Sequence, residues 1–242
     1  MTPRPTGTVT LLFSDIEDST SRLAELGTDK YHAALEEHRR ILREPVAQHA
    51  GHEFGAVGDA LFVAFGSVQD AIRTAVAAQS ALNDHAWPGG RPLRVRMGLH
   101  TCEALSTADD YVGIGVHRAS RICAAGHGGQ VLLSHTTHAL LTEAFGFAVR
   151  DLGEHLLKGL PEPERLYQLL DPRLQSDFPT APHGTQAAAE SSLRRHASRR
   201  PRARAARDLR NAAASGPTGT ITLRRFKNSL DRGSSPPRVR QA

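Results

Sequence analysis

Apolar and polar positions along the first 170 residues change period several times, and each change marks an element. Thr8 to Ser14 reads TVTLLFS, a β-rich run that predicts a strand ending at Asp15. Asp18-Ser19-Thr20 supplies N-cap residue types for a short helix. From Lys30 to Ala50, Tyr31, Leu35, Ile41, Leu42 and Val46 recur at helical spacing and predict one buried face. His52 to Val57 and Ala60 to Phe65 predict two strands joined at Gly58-Asp59, a dipeptide suited to a tight hairpin turn. Ser67 to Asp70 resembles a capping box and opens a helix whose Val68, Ile72, Ala75, Val76 and Leu82 share a face.

Pro88-Gly89-Gly90 marks a loop, after which Pro92 to Thr101 alternates as a strand does. Ser106 to Asp110 is expected to be a polar loop, and Gly113 to Ala125 a helix stopped at Gly126. The remainder predicts a strand at Gln130 to Ser134, a helix at His135 to Phe145 and a strand at Phe147 to Asp151. A last hairpin is expected between Glu154–Leu157 and Arg165–Leu170. The order strand, helix, strand, strand, helix, strand, with further αβ elements, is that of the ferredoxin-like βαββαβ architecture, an α+β fold.

Charge divides the chain in two. Residues 173–242 hold 15 Lys and Arg against 4 Asp and Glu, and residues 1–172 hold 15 against 21. Only nine of those last 70 residues are Leu, Ile, Val or Phe, too few to offset the entropy of ordering them. An acidic globular domain over 1–172 and a basic, low-complexity, disordered tail over 173–242 are therefore expected. Basic clusters such as Arg194-Arg195 and Arg224-Arg225 admit nucleic-acid or acidic-lipid binding, without aromatic interleaving or a folded recognition motif to support it. A solvated extension and a segment read in a shifted frame are the other two readings of that monotony. Two cysteines build no disulfide framework, and neither a membrane span nor a signal peptide is evident, so a cytoplasmic location is expected.

Common catalytic signatures are missing: no P-loop, dinucleotide fingerprint, HExxH or nucleophile elbow. Two carboxylates stand out by position. Asp15 ends the first strand, and Asp59 sits in the hairpin turn. In a ferredoxin-like sheet a central strand's end and a neighbouring hairpin tip can lie side by side. Converging carboxylates repel unless a divalent cation lies between them, and hard oxygen donors suit magnesium or manganese. The alternative is that Asp15 caps a helix and Asp59 makes a turn.

The segment Gly7 to Thr20 (GTVTLLFSDIEDST) resembles the opening of a class III nucleotide cyclase catalytic domain. Val57-Gly58-Asp59-Ala60, Arg96-Met97-Gly98-Leu99-His100-Thr101, Tyr111 to Arg121, Asp151 to His155 and Leu157 to Leu160 follow in that family's order. The resemblance covers roughly residues 7–170 and implies a purine nucleotide cyclase. Its reaction would convert ATP, or GTP, to the 3′,5′-cyclic nucleotide and pyrophosphate. It assigns Asp15, Asp59 and the Ile16 carbonyl to two Mg2+ or Mn2+ ions, and Arg121 to charge on the α-phosphate. Arg96 and Lys158 would hold the terminal phosphates, and Asp110 would accept from the adenine amino group. The family's sites form between two protomers, so the resemblance also implies a homodimer.

Two positions depart from the pattern. Gly55 stands where adenylate cyclases carry a base-reading lysine, and His117 replaces the ribose-orienting asparagine. Metal and phosphate positions are kept while base reading is thinned. ATP cyclisation is the leading expectation, and a catalytically weak, cyclase-like nucleotide-binding or dimerisation module in signalling is the alternative.

Overall fold

The protein is described by a computed structural model covering residues 4–107, 110–141, 146–179 and 186–187. The first expected strand forms as β1 (Thr8–Ile16), followed by α1 (Ser19–Leu26), α2 (Thr28–Gln48), β2 (His52–Val57), β3 (Ala60–Phe65) and α3 (Val68–Asp84). Then come β4 (Val95–Glu103), β5 (Leu105–Ser106), β6 (Tyr111–Val112), α4 (Ile114–Ala125), β7 (Val131–Ser134) and α5 (His135–Ala139). The chain continues with β8 (Ala148–Leu156), β9 (Glu164–Leu170) and β10 (Gln186–Ala187).

Eight strands form one sheet in the order β10-β8-β9-β7-β4-β1-β3-β2. Its β4-β1-β3-β2 half has every neighbour antiparallel, the ferredoxin-like arrangement expected from the element order. β7 joins parallel to β4 and carries the β8–β9 hairpin beside it. β1 is central and covered on both sides, which is why Val9 to Phe13 is an unbroken buried run.

Register sorts side chains between the two faces of the sheet. Leu12 lies opposite Val63 and Leu99, and these join Ile41, Leu42, Val46, Ile72 and Val76 from α2 and α3 in the main core. Phe13 lies opposite Phe62 and Gly98 on the other face, where α4 packs. There Phe13 and Phe62 stack at 4.4 Å between ring centroids, and Phe54 and Tyr111 extend the aromatic group.

Several elements differ from expectation. The expected Ser106 to Asp110 loop is flanked by a short pairing of Leu105–Ser106 with Tyr111–Val112, and 108–109 lie outside the described residues. The strands expected at Phe147–Asp151 and Glu154–Leu157 are one strand, β8, bulged between Asp151 and Gly153. Gly153 has φ 83°, so it accommodates the extra residue and the strand continues instead of ending. Asp18 occupies the N-cap of α1 in the left-handed region (φ 54°) and makes no side-chain cap bond. Ser67 does cap α3, its hydroxyl accepting from the Asp70 N–H at 3.4 Å. Of the helix expected over His135 to Phe145, α5 is observed, and 142–145 lie outside the described residues.

Beyond residue 172 the Ser176 carbonyl accepts from Gln168 and Arg150, and β10 pairs with β8. The expected tail lies outside the described residues at 180–185 and from 188 onward. Among the described residues no helix is long and apolar enough to cross a membrane, and Cys102 and Cys123 are free thiols.

Candidate active site

Antiparallel pairing brings the two aspartates together. β1 and β3 run in register to Ser14 opposite Leu61, so the next residues of β1 reach the turn preceding β3. There the Ile16 N–H donates to Asp59 Oδ2 at 3.1 Å, across 43 positions of sequence. Asp15 projects on the α4 face, in register with Arg96 of β4. The Arg96 Nε–H donates to Asp15 Oδ2 at 3.0 Å, Nη2 donates to the same oxygen, and Nη1 reaches the Ala124 carbonyl of α4 at 3.3 Å. Both side chains keep about a quarter of their surface open, 27% for Asp15 and 23% for Arg96.

Burial raises the Asp59 carboxyl above the ordinary carboxylate range, and the negative charge of Asp15 raises it further. Hydrogen bonds from its own backbone N–H, the Ile16 N–H and the Ser19 hydroxyl pull the other way by favouring the ionised form. Ser19 also hydrogen-bonds Tyr31, a phenol pushed up first by burial and next by Asp59. Ser19 and Tyr31 thus belong to the carboxylate site, although their sequence signal is that of a helix cap and a buried helical face. A hydroxyl one turn past a strand-terminal aspartate is too common a pattern to single out.

On the same face α4 comes unusually close to the sheet. A Cβ on Gly98 would sit 2.3 Å from the Cys123 backbone nitrogen, and one on Gly115 would meet Cys102 Sγ at 2.3 Å. Two glycines therefore let α4 lie directly on β4. His117 and Arg121 occupy adjacent turns of α4, both half-buried. Burial lowers the His117 imidazole below its ordinary value, and the neighbouring Arg121 guanidinium lowers it further.

The remaining expected positions are distributed. Gly55 lies on β2 beside its bulge, opposite Phe62. Asp110 is buried, and its Oδ1 accepts from the Tyr111 N–H at 2.7 Å. Lys158 is exposed in the turn between β8 and β9. The fold thus gathers Asp15, Asp59, Ile16 and Arg96 in one cluster and places His117 with Arg121 in a second.

A divalent cation fits the first cluster. Two like-charged carboxylates, one pushed toward its neutral form by the other, offer hard oxygens that a cation would hold ionised. Among the described residues no group of three or more His, Cys, Asp and Glu is arranged to hold a metal. The remaining coordination positions would fall to a backbone carbonyl, water and phosphate oxygens. Arg96 already spans Asp15, so a cation there shares that carboxylate with the guanidinium.

The fold agrees with the comparisons to known proteins. A family model described as the adenylate and guanylate cyclase catalytic domain matches residues 1–171. The chain belongs to this family and carries a class III cyclase catalytic domain, whose members generally use divalent metal ions.

A protein of Mycobacterium tuberculosis described as uncharacterised is 36% identical over 180 residues, covering 72% of this chain and 60% of that protein. An adenylate cyclase of Podospora anserina is 30% identical, covering 69% of this chain and 10% of its own length. The chain thus spans 60% of the length of the first relative and 10% of the second. Among solved structures, a Trypanosoma brucei adenylate cyclase in its monomeric state superimposes with TM-score 0.67 at 28% identity, covering 74% of this chain and 96% of that one. The guanylate cyclase domain of a Catenaria anguillulae protein, solved with GTP, shares the fold with TM-score 0.60 at 20% identity, over 68% and 96% of the two chains.

Proposed function

We propose that this protein is a purine nucleotide cyclase that converts ATP to 3′,5′-cyclic AMP and pyrophosphate at sites shared across a homodimer, in the cytoplasm. The observation that carries the reading is the meeting of Asp15 and Asp59 at the open end of β1, with the Ile16 N–H fixing the second carboxylate. In this reading Asp15, Asp59 and the Ile16 carbonyl hold two Mg2+ or Mn2+ ions. Bound there, they supply Lewis acidity toward the ribose 3′-hydroxyl and neutralise charge on the departing β- and γ-phosphates.

The chain's own groups do the rest. Asp59, raised by burial and by Asp15, must ionise to bind, and the hydrogen bonds from Ile16 and Ser19 hold it oriented. Arg96 and Lys158 bind the terminal phosphates; Arg96 keeps Asp15 in place until they arrive. The partner's Arg121 stabilises charge building on the α-phosphate, for which a planar, permanently charged fork is suited. The imidazole of His117 orients the ribose, and Asp110 accepts from the adenine amino group.

A second reading, a nucleotide-binding regulatory module of low turnover, is favoured by two observations. Gly55 supplies no donor to a base, and one oxygen of Asp110 is already engaged by the Tyr111 N–H. The rate of cyclic product formation by the full chain with ATP or GTP and manganese separates the readings, since the module binds nucleotide but forms product at or little above background.

The shared site has its own test. Asp15→Ala and Arg121→Ala chains, differently tagged, are co-expressed and purified in tandem as the heterodimer. One of its two sites carries both lesions and the other neither, so it should recover roughly half of wild-type activity, given a two-fold arrangement of independent sites. A heterodimer as inactive as its parents, beside active wild type, refutes sharing.

A further inference from the structure

The four residues before β1 make an unexpected set of contacts. Arg4 reaches two elements at once: its Nε–H donates to His52 Nε2 of β2 at 3.3 Å, and its Nη1 donates to the Thr107 carbonyl at the β5–β6 tip. Its guanidinium lies over the Tyr111 ring, 5.6 Å from the centroid. The Tyr111 hydroxyl donates back to the Pro5 carbonyl at 2.6 Å, and the Gly7 carbonyl accepts from the Ala104 N–H at 3.4 Å. Tyr111 is 1% exposed and meets the edge of Phe54, the residue preceding Gly55, at 5.0 Å.

These contacts enclose Asp110. The Thr107 N–H donates to the Asp110 carbonyl at 2.8 Å, the Asp110 N–H donates to Thr107 Oγ1 at 3.1 Å, and Tyr111 follows immediately. One guanidinium therefore ties the turn bearing Asp110 to the strand bearing Gly55, the two positions expected to face the purine. We propose that Arg4 is a positioning residue that clamps the Asp110 turn against β2 and so sets the affinity of the site for the purine base. The inference rests on the cyclase reading given above. A rigid planar fork suits this task because it donates to two separated acceptors while stacking on an aromatic face. A lysine ammonium offers one point charge and spans less.

The test uses the full chain with Arg4→Ala, Arg4→Lys and Tyr111→Phe. Arg4→Ala should raise the KM for ATP, and weaken binding of a fluorescent ATP analogue, by about tenfold, the scale of one lost charge-assisted hydrogen bond. Its kcat at saturating ATP and its half-saturating manganese concentration should stay within about twofold of wild type, since the contacts given above involve neither Asp15 and Asp59 nor Arg96, Arg121 and Lys158. Arg4→Lys should recover only part of the affinity, and Tyr111→Phe, which keeps the ring and loses the bond to Pro5, should fall between. Amide exchange over 105–112 should rise in Arg4→Ala whether or not nucleotide is present.

Faster exchange with unchanged nucleotide affinity would overturn the positioning role while leaving the cyclase reading intact. So would a loss of kcat and melting temperature with KM unchanged, or no effect at all. If wild type neither binds nor turns over any purine nucleotide, the cyclase reading and this inference fall together. If it binds without turnover, the analogue affinities of the variants still decide the inference.

Discussion

The two faces of the sheet use the same strands to opposite ends. In β4, Val95, Met97 and Leu99 enter the core beneath α2 and α3, while Arg96, Gly98, His100 and Cys102 alternate onto the α4 face. The first face is apolar and densely filled. The second carries the aspartate–arginine cluster and the glycines that admit α4. Substitutions on the two faces should therefore separate stability from chemistry, because a pleated strand gives each face every second residue.

The largest effect is expected on the chemical face. Asp15→Ala or Asp59→Ala should lower cyclic nucleotide formation by at least about a thousandfold, ~4 kcal/mol in transition-state terms, with little change in melting temperature. Turnover of either variant at saturating manganese, measured beside thermal melts, checks this; a wild-type rate would remove that residue from the proposed metal site.

On the opposite face Ile72 is fully buried, and Ile72→Ala should cost about 2–5 kcal/mol by denaturant titration while the refolded fraction keeps its specific activity. A variant that folds normally but loses turnover would break the division between the faces.

Histidines sharpen the comparison, because His38 is buried on one face and His100 on the other. His38 on α2 has both ring nitrogens buried without a hydrogen-bond partner among the described residues, whereas His100 Nδ1 lies 2.9 Å from Ser134 Oγ. Burial, with Arg39 and Arg118 respectively, lowers each to about 4. The unfolded chain titrates near the ordinary value of about 6.5 and binds the proton more readily, so stability is full above that pH and is lost as pH falls toward 4. Each histidine should contribute about 3 kcal/mol to that loss. His38→Leu should flatten the slope of stability against pH between 4 and 6.5; an unchanged slope would mean His38 charges without penalty.

The smallest effect concerns the base. Gly55→Lys returns a donor to β2 and should shift the ATP-to-GTP ratio of kcat/KM toward ATP by about 1–3 kcal/mol. An unchanged ratio would mean that this strand does not face the purine.

Much of this arrangement was legible in local pattern. The alternation of Pro92 to Thr101, the Gly58-Asp59 turn and the Ser67 cap each depend on a few neighbouring residues; the turn and the cap appear where the pattern places them, and the strand runs over Val95–Glu103. Local pattern failed where a single residue could be absorbed without ending an element, as at the Gly153 bulge of β8. It also gave no sign of the Ser19–Asp59–Tyr31 hydrogen bonds or of the Arg4 contacts, since arginine, serine and tyrosine on exposed or half-buried positions carry no periodic signal.

By itself the amino-acid sequence determined the elements, their apolar faces and, through its motifs, the family. The meeting of Asp15 with Asp59 and Arg96 was decided by the tertiary structure. These residues lie 44 and 81 positions from Asp15, and only the antiparallel pairing of β1 with β3 and β4 brings them to one end of one strand. Strand order depends on which faces can be buried together across the whole domain, so it is a property of the assembled sheet, whereas side-chain alternation belongs to each strand alone.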